Sequence, residues 1–211
     1  MKKTISIVAL VVLVAAVSVL GTLAYLTSQD QVVNTFTVGK VAIKLDEMKV
    51  TDDGKPAASA ERVKTNDYKL LPGLTYAKDP TVTVLKGSEL SYVKLVVTVS
   101  KASESDKLLK ECETTLAAVV NGYDAANWIL KSNTENKANN TRTYEFWYKE
   151  AVDASAADVK LDALFDQIVV PGNITNVQLA SIDGLEIDIV AYAIQADGFV
   201  DAAAAWNAFA K

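Results

Sequence analysis

From Tyr92 to Ser100 apolar and polar residues alternate, with Val93, Leu95, Val97 and Val99 on one side and Lys94 and Thr98 on the other. Successive side chains of a strand point to opposite faces, so a period of two over this length marks a half-buried β-strand. A sheet with one apolar face needs a second layer to cover it, and other segments can supply it. Asp79-Pro80-Thr81-Val82-Thr83-Val84 opens on a proline suited to a strand start. Tyr144, Phe146 and Tyr148 share one face of a run whose other face holds Thr143, Glu145 and Trp147. Such a stripe could be a sugar platform, but buried core is the commoner fate of aligned aromatics. Ile168-Val169-Val170 is a short strand ended by Pro171-Gly172. Leu185, Ile187, Ile189, Ala191 and Ala193 alternate with Glu186, Asp188, Val190, Tyr192 and Ile194. The second half of that run is apolar on both faces, which predicts a central strand covered on both sides, one cover being a helix over 202–210 that carries Trp206 and Phe209.

Turn chemistry separates these segments. Leu71-Pro72-Gly73-Leu74 fits a type II turn with glycine at positive φ, and Lys86-Gly87-Ser88-Glu89 and Asp183-Gly184 break the chain in the same manner. The polar stretch 49–64 is expected to be an exposed loop, and 131–140 a solvated hairpin-type loop. Ser103-Glu104-Ser105-Asp106 offers a capping box to a helix carrying Leu108, Leu109, Cys112, Leu116 and Val119 or Val120. Cys112, the single cysteine, then faces the core as inert packing. A further short helix is expected over 156–165. Six to nine short strands with a few short inserted helices predict a mainly β fold, an antiparallel β-sandwich of jelly-roll or Ig-like type.

The N-terminus bears on location. Lys2 and Lys3 precede an uncharged run from Thr4 to Ser28 whose apolar core spans Ile5 to Leu20, the pattern of a secretory signal peptide. Thr22-Leu23-Ala24 fits a small-x-small cleavage rule, so the cut is expected between Ala24 and Tyr25, dividing the 211 residues into a signal peptide (1–24) and a single β-sandwich domain (25–211). The competing reading of the run is a retained membrane anchor; both place the chain beyond Asp30 outside the cell. After the cut, Val32, Phe36 and Val38 are apolar at even positions and Val41, Ile43 and Leu45 at odd ones, with Gly39 at the switch, where the alternatives are a β-bulge and a plain loop. A strand beginning so near a free end can be lent to a neighbouring subunit, which makes Val32, Asn34, Phe36, Val38 and Gly39 the expected donor strand of a head-to-tail polymer.

Several chemistries are excluded by composition. A net charge of −5 gives no footprint for nucleic acid. The chain has no histidine, so neither a Ser-His-Asp triad nor an HExxH zinc site can be built, and no catalytic residue, metal or cofactor is expected. Ser91-Tyr92-Val93-Lys94 matches S-x-x-K, but residues three apart on a strand face opposite ways. Leu71-Pro72-Gly73-Leu74-Thr75 lies mid-chain and does not complete a sortase signal.

The segment GTLAYLTSQDQVVNTFTVGKVAIKLDE, with Gly21, Thr22, Ala24, Tyr25, Asn34, Phe36, Gly39, Leu45, Asp46 and Glu47, resembles the signal junction of the TasA/camelysin family of exported biofilm matrix proteins. Leu71-Pro72-Gly73 with Lys78-Asp79-Pro80-Thr81-Val82, then Ser91-Tyr92-Val93-Lys94-Leu95, Leu164-Phe165-Asp166 and Ala193-Ile194-Gln195-Ala196-Asp197-Gly198-Phe199 resemble later segments of the same family. The resemblance implies export with a dedicated signal peptidase of the SipW type, a jelly-roll-like sandwich, and a secreted structural subunit of extracellular fibres. Its partners would be other copies of itself, with a minor matrix protein as a further candidate. The metalloprotease label of some family members is not carried over, for want of zinc ligands. The alternative function is a secreted monomeric binding module or adhesin at the cell surface.

Overall fold

The computed structural model describes residues 39–59, 61–112 and 122–209, with the side chains of 109–112 outside that description. The fold is mainly β, and every strand pairing is antiparallel. One four-stranded sheet has the order β2 (Arg62–Val63), β1 (Ile43–Met48), β4 (Thr81–Val84), β8 (Val159–Lys160). The other has the order β10 (Ile187–Gln195), β5 (Ser91–Ser100), β7 (Thr141–Tyr148), β6 (Trp128–Asn136). A two-stranded ribbon joins β3 (Thr75–Ala77) to β9 (Gln167–Val169). Helices α1 (Ala102–Cys112), α2 (Asn176–Ser181) and α3 (Ala202–Phe209) lie between or after strands.

The two larger sheets share one core, the arrangement of a sandwich. Val93, Leu95, Val97 and Val99 of β5 pack with Val82 and Val84 of β4, and Trp128, Tyr144 and Phe146 close the cluster. Along β5 burial alternates residue by residue, as the sequence period requires. Ser91 therefore points inward and Lys94 outward, and the S-x-x-K pair is split across the sheet. The aromatic stripe of β7 is core: Tyr144 and Phe146 are buried, with ring centroids 6.4 Å apart. A second, smaller core gathers Tyr76, Leu108, Val170, Ile174 and Ile182 around the ribbon.

Several expectations are corrected. The stretch 49–64 is not merely a loop, because Arg62 and Val63 pair with Met48 and Glu47 of β1. The first half of 131–140 is strand: β6 runs through Asn136 as an exposed edge and only four residues turn before β7. Residues 156–165 form no helix. Val159 and Lys160 pair with β4, and Leu161, Leu164 and Phe165 reach the core from irregular chain; their i, i+3, i+4 spacing imitates a helix because three consecutive anchors need only fall on one side. Ser103 is not the cap of α1 but lies inside its first turn, and Asn140 caps in its place. The Asn140 carboxamide oxygen accepts from the Ser103 N–H at 3.0 Å and from its hydroxyl at 2.8 Å. α2, unanticipated, begins with a true capping box between Thr175 and Gln178. Among the described residues β10 is an edge strand rather than a central one. Its apolar outer residue Tyr192 is covered by α3, where the Tyr192 and Phe209 rings meet edge-on at 5.5 Å.

The Pro72-Gly73 turn is as expected, with Gly73 at φ 78° and the Leu74 N–H donating to the Leu71 carbonyl at 3.3 Å. Gly54 is held more tightly: φ is 74°, and a Cβ there would lie 2.0 Å from Cδ1 of buried Tyr76. Gly54→Ala is expected to cost on the order of 2–4 kcal/mol, from the left-handed backbone and overpacking together. Gly184→Ala, also at positive φ but in open space, should cost only about 1–2 kcal/mol of backbone strain. Urea unfolding of the two variants beside the parent checks the difference.

Candidate functional site

The second sheet ends in two very different edges. β6 carries Lys131, Ser132, Asn133, Thr134, Glu135 and Asn136, all exposed, and a register shift between Leu130 and Ser132 bends it. Charges and bulges of this sort discourage a further strand. β10 has no shift against β5 over nine residue pairs, and Ile187, Ile189 and Ala191 on its inner side are only partly buried against the core. Among the described residues no strand pairs with its outer edge.

Facing β10 across the mouth of the sandwich is β1. Only Glu47 and Met48 of β1 pair with β2, so among the described residues the edge of Ile43–Asp46 turned away from β4 lacks a strand partner as well. Between them runs a groove of ≈ 600 Å³ lined by Ile43, Leu45, Ile187, Ile189 and Ala191 and bounded by 63–67. It continues past Lys78 and Asn66 into a second cavity of ≈ 940 Å³ beside Tyr68, Tyr76, Leu179 and Ile182. The groove mixes both characters, its apolar residues standing beside Lys44, Asp46, Lys64, Asp67 and Asp188, and Lys78 and Asn66 lie where it meets the second cavity.

At that junction lies a network of opposite charges. The Arg62 Nε donates to Asp46 Oδ1 at 2.7 Å, one of its terminal nitrogens pairs with the Asp79 carboxylate, and the other donates to the Asp46 carbonyl at 2.9 Å. Asp79 Oδ1 also accepts from the Met48 N–H. Beside it, Lys78 Nζ donates to Glu47 Oε2 at 2.7 Å, with both side chains buried. Asn66 donates to Glu47 Oε1 at 3.0 Å. Tyr68 donates its hydroxyl to the Ala77 carbonyl, and burial, with the Glu47 charge, pushes that hydroxyl well above the ordinary tyrosine range. β1 brings Asp46 and Glu47, β2 brings Arg62, and Lys78 and Asp79 precede β4, so the network forms only when the first sheet is assembled.

The expected donor-strand residues Val32, Asn34, Phe36 and Val38 and the cleavage pair Ala24 and Tyr25 lie outside the described residues. Gly39 is the first described residue, exposed and in irregular chain, and strand begins only at Ile43. Residues 40–42 are tied to the β4–β5 turn: the Glu89 N–H donates to the Lys40 carbonyl and the Leu85 N–H to that of Ala42, both at 2.9 Å. The chain thus enters β1 at a fixed place. The ion network had no sequence signal beyond isolated charges, since Arg62, Lys78 and Asp79 meet only through pairing. The groove had one in hindsight, the apolar inner residues of a strand with no partner beyond it. Among the described residues no cluster of three or more acidic or cysteine side chains could hold a metal ion, and no helix is long and apolar enough to cross a membrane. No family model, curated protein or solved structure matches the chain.

Asp46 makes the network pH-dependent. Burial alone would raise its carboxyl, but hydrogen bonds from Lys44 and Arg62 and their charges outweigh this and hold it below the ordinary range. A carboxyl lowered on folding contributes stability that is complete above its unfolded value, about 3.9, and lost as pH falls through the folded one. The urea midpoint should therefore drop below about pH 4, and Asp46→Asn, less stable at neutral pH, should show a shallower acid limb.

Proposed function

We propose that the chain is a secreted structural subunit of extracellular biofilm-matrix fibres, built by inserting the N-terminal segment of one copy into the groove of the next. The observation that carries this is the groove between β1 and β10, which sets Ile43, Leu45, Ile187, Ile189 and Ala191 beside two strand edges that have no partner among the described residues. A strand entering it gains backbone hydrogen bonds at an edge and places alternate side chains against the core. Val32, Phe36 and Val38 are spaced for that, each two or four residues from the next on one face. Because donor and acceptor are different surfaces, the contact does not close on itself and propagates. Export through a SipW-type signal peptidase would expose the donor by freeing Tyr25.

The larger cavity beside Tyr68 and Leu179 favours a second reading, a secreted monomeric binding module that uses it for a ligand. Negative-stain microscopy separates the two, since only the first gives filaments. Deletion of residues 25–34, or Phe36→Asp, is expected to yield folded monomers by size exclusion. A synthetic peptide of residues 28–40 should then bind the deletion variant and slow amide exchange at Ile187–Ala191. Filaments of unchanged repeat from the deletion variant would overturn strand insertion.

A further inference from the structure

Glu47 bridges two groups that can react with each other. Its Oε2 accepts from the Lys78 ammonium at 2.7 Å and its Oε1 from the Asn66 carboxamide nitrogen at 3.0 Å. Amine and carboxamide thus rest on the two oxygens of one carboxylate. Lys78 and Glu47 side chains are only 8% and 9% exposed, and the Tyr68 ring stands 5.5 Å from Nζ, so the pair is largely withdrawn from water at the wall of the cavity. The Asn66 carboxamide is held at both ends: Nδ2 also donates to the Met48 carbonyl at 2.9 Å, and Oδ1 accepts from the Val50 N–H at 3.0 Å. The neighbouring charges Arg62, Asp46 and Asp79 are engaged with one another.

For a plain buried ion pair, the asparagine is superfluous. Burying a lysine and a glutamate gains little over an apolar pair, and a carboxamide fixed in three hydrogen bonds adds further ordering cost. The same set has a use as chemistry. Glu47 is placed as a general base and acid for both groups, the Val50 N–H sits where charge would develop on the amide oxygen, and the shared carboxylate brings the two groups together. We propose that Lys78 and Asn66 become joined by an intramolecular isopeptide bond, with Glu47 as the proton shuttle. The Lys78 ammonium passes a proton to Glu47, and the freed amine attacks Asn66 Cγ. An Nζ–Cγ bond forms, and the C=O electron pair moves onto Oδ1 beside the Val50 N–H. Glu47 delivers its proton to Nδ2 and takes one from Nζ. The Cγ–Nδ2 bond breaks, the C=O is restored, and nitrogen departs as ammonium, leaving Glu47 a carboxylate that accepts from the new amide N–H. No oxidant, metal or cofactor is consumed. The bond is independent of assembly and would tie the residue after β3 to the irregular segment that follows β2, closing the 66–78 loop.

Mass spectrometry of the full chain tests it. The folded protein is expected to weigh one ammonia less than its sequence, and its tryptic map to contain a branched peptide in which 65–69 is attached through Lys78 to 70–86. Lys78→Arg should restore the full mass, Glu47→Gln should slow or abolish the loss, and Asn66→Asp should lose water instead of ammonia. A folded parent at its full sequence mass overturns the proposal, as does a loss of ammonia that persists in Lys78→Arg, which would locate it at another asparagine. An undiminished bond in Glu47→Gln would remove the shuttle from Glu47.

Discussion

The inner face of β5 is the constraint on which the domain depends. At ten residues it is the longest of the described strands, and it is flanked on both sides, by β10 over nine residue pairs and by β7 over seven. Val93, Leu95 and Val97 are wholly buried, and each removes roughly 1.5–3 kcal/mol of apolar surface cost from water. The layers on either side of it are placed by what β5 leaves uncovered. β4 and its neighbours cover the inner face, whereas the outer face is covered by α3. Lys94, not an aliphatic residue, holds that helix: its ammonium lies 4.7 Å from the Trp206 ring centroid, 5.5 Å from Phe209 and 5.6 Å from Tyr192, with Glu145 at 3.5 Å. A cation among ring faces, partly desolvated, is worth more than one in open water, and its aliphatic stem still packs on the sheet.

How much of this the sequence discloses follows from the range of each interaction. β5, β4 and β7 are legible because their burial is one-sided and shows as a period of two. The turns at Gly73, Gly87 and Gly184 are legible because the backbone demand is local, all three lying at positive φ. β6 is not: from Lys131 to Asn136 neither face is buried, so an edge strand reads like loop. β10 misleads in the opposite direction. Its two apolar faces suggest a strand inside a sheet, but one face meets the core and the other meets α3, and apolar pattern records burial of faces, never of edges. The cap of α1 is hidden for a related reason, since Asn140 is 37 residues from the Ser103 it holds.

The candidate site was less legible than the fold. Its apolar walls could be named from the alternation of Ile187, Ile189 and Ala191 and of Ile43 and Leu45, but whether a strand lay beyond them is a matter of topology. The charged end could not be read at all. Asp46 and Glu47 look like the polar finish of a strand, Arg62 like part of a loop, and Lys78-Asp79 like a turn before Pro80. Only the register of β1 against β2 and β4 brings them within hydrogen-bond range.

The edges give the molecule a direction. A sandwich with two equally open edges would add strands from any copy in any orientation, which leads to sheets and amorphous aggregate. Here β6 is bent, charged and polar, β8 and β2 have two residues each, and among the described edge strands β10 alone is long, regular and apolar on its inner side. In the proposed assembly, strand addition would be restricted to one slot, with β1 as its opposite wall and the Glu47–Lys78 pair at one end. Buried charge at that end penalises any apolar side chain pushed against it, because the pair would lose hydrogen bonds it cannot replace. A strand entering as proposed would meet that buried pair at one end of the slot only, and such a landmark would distinguish one register and one orientation from the others, as steric fit to a uniform slot would not.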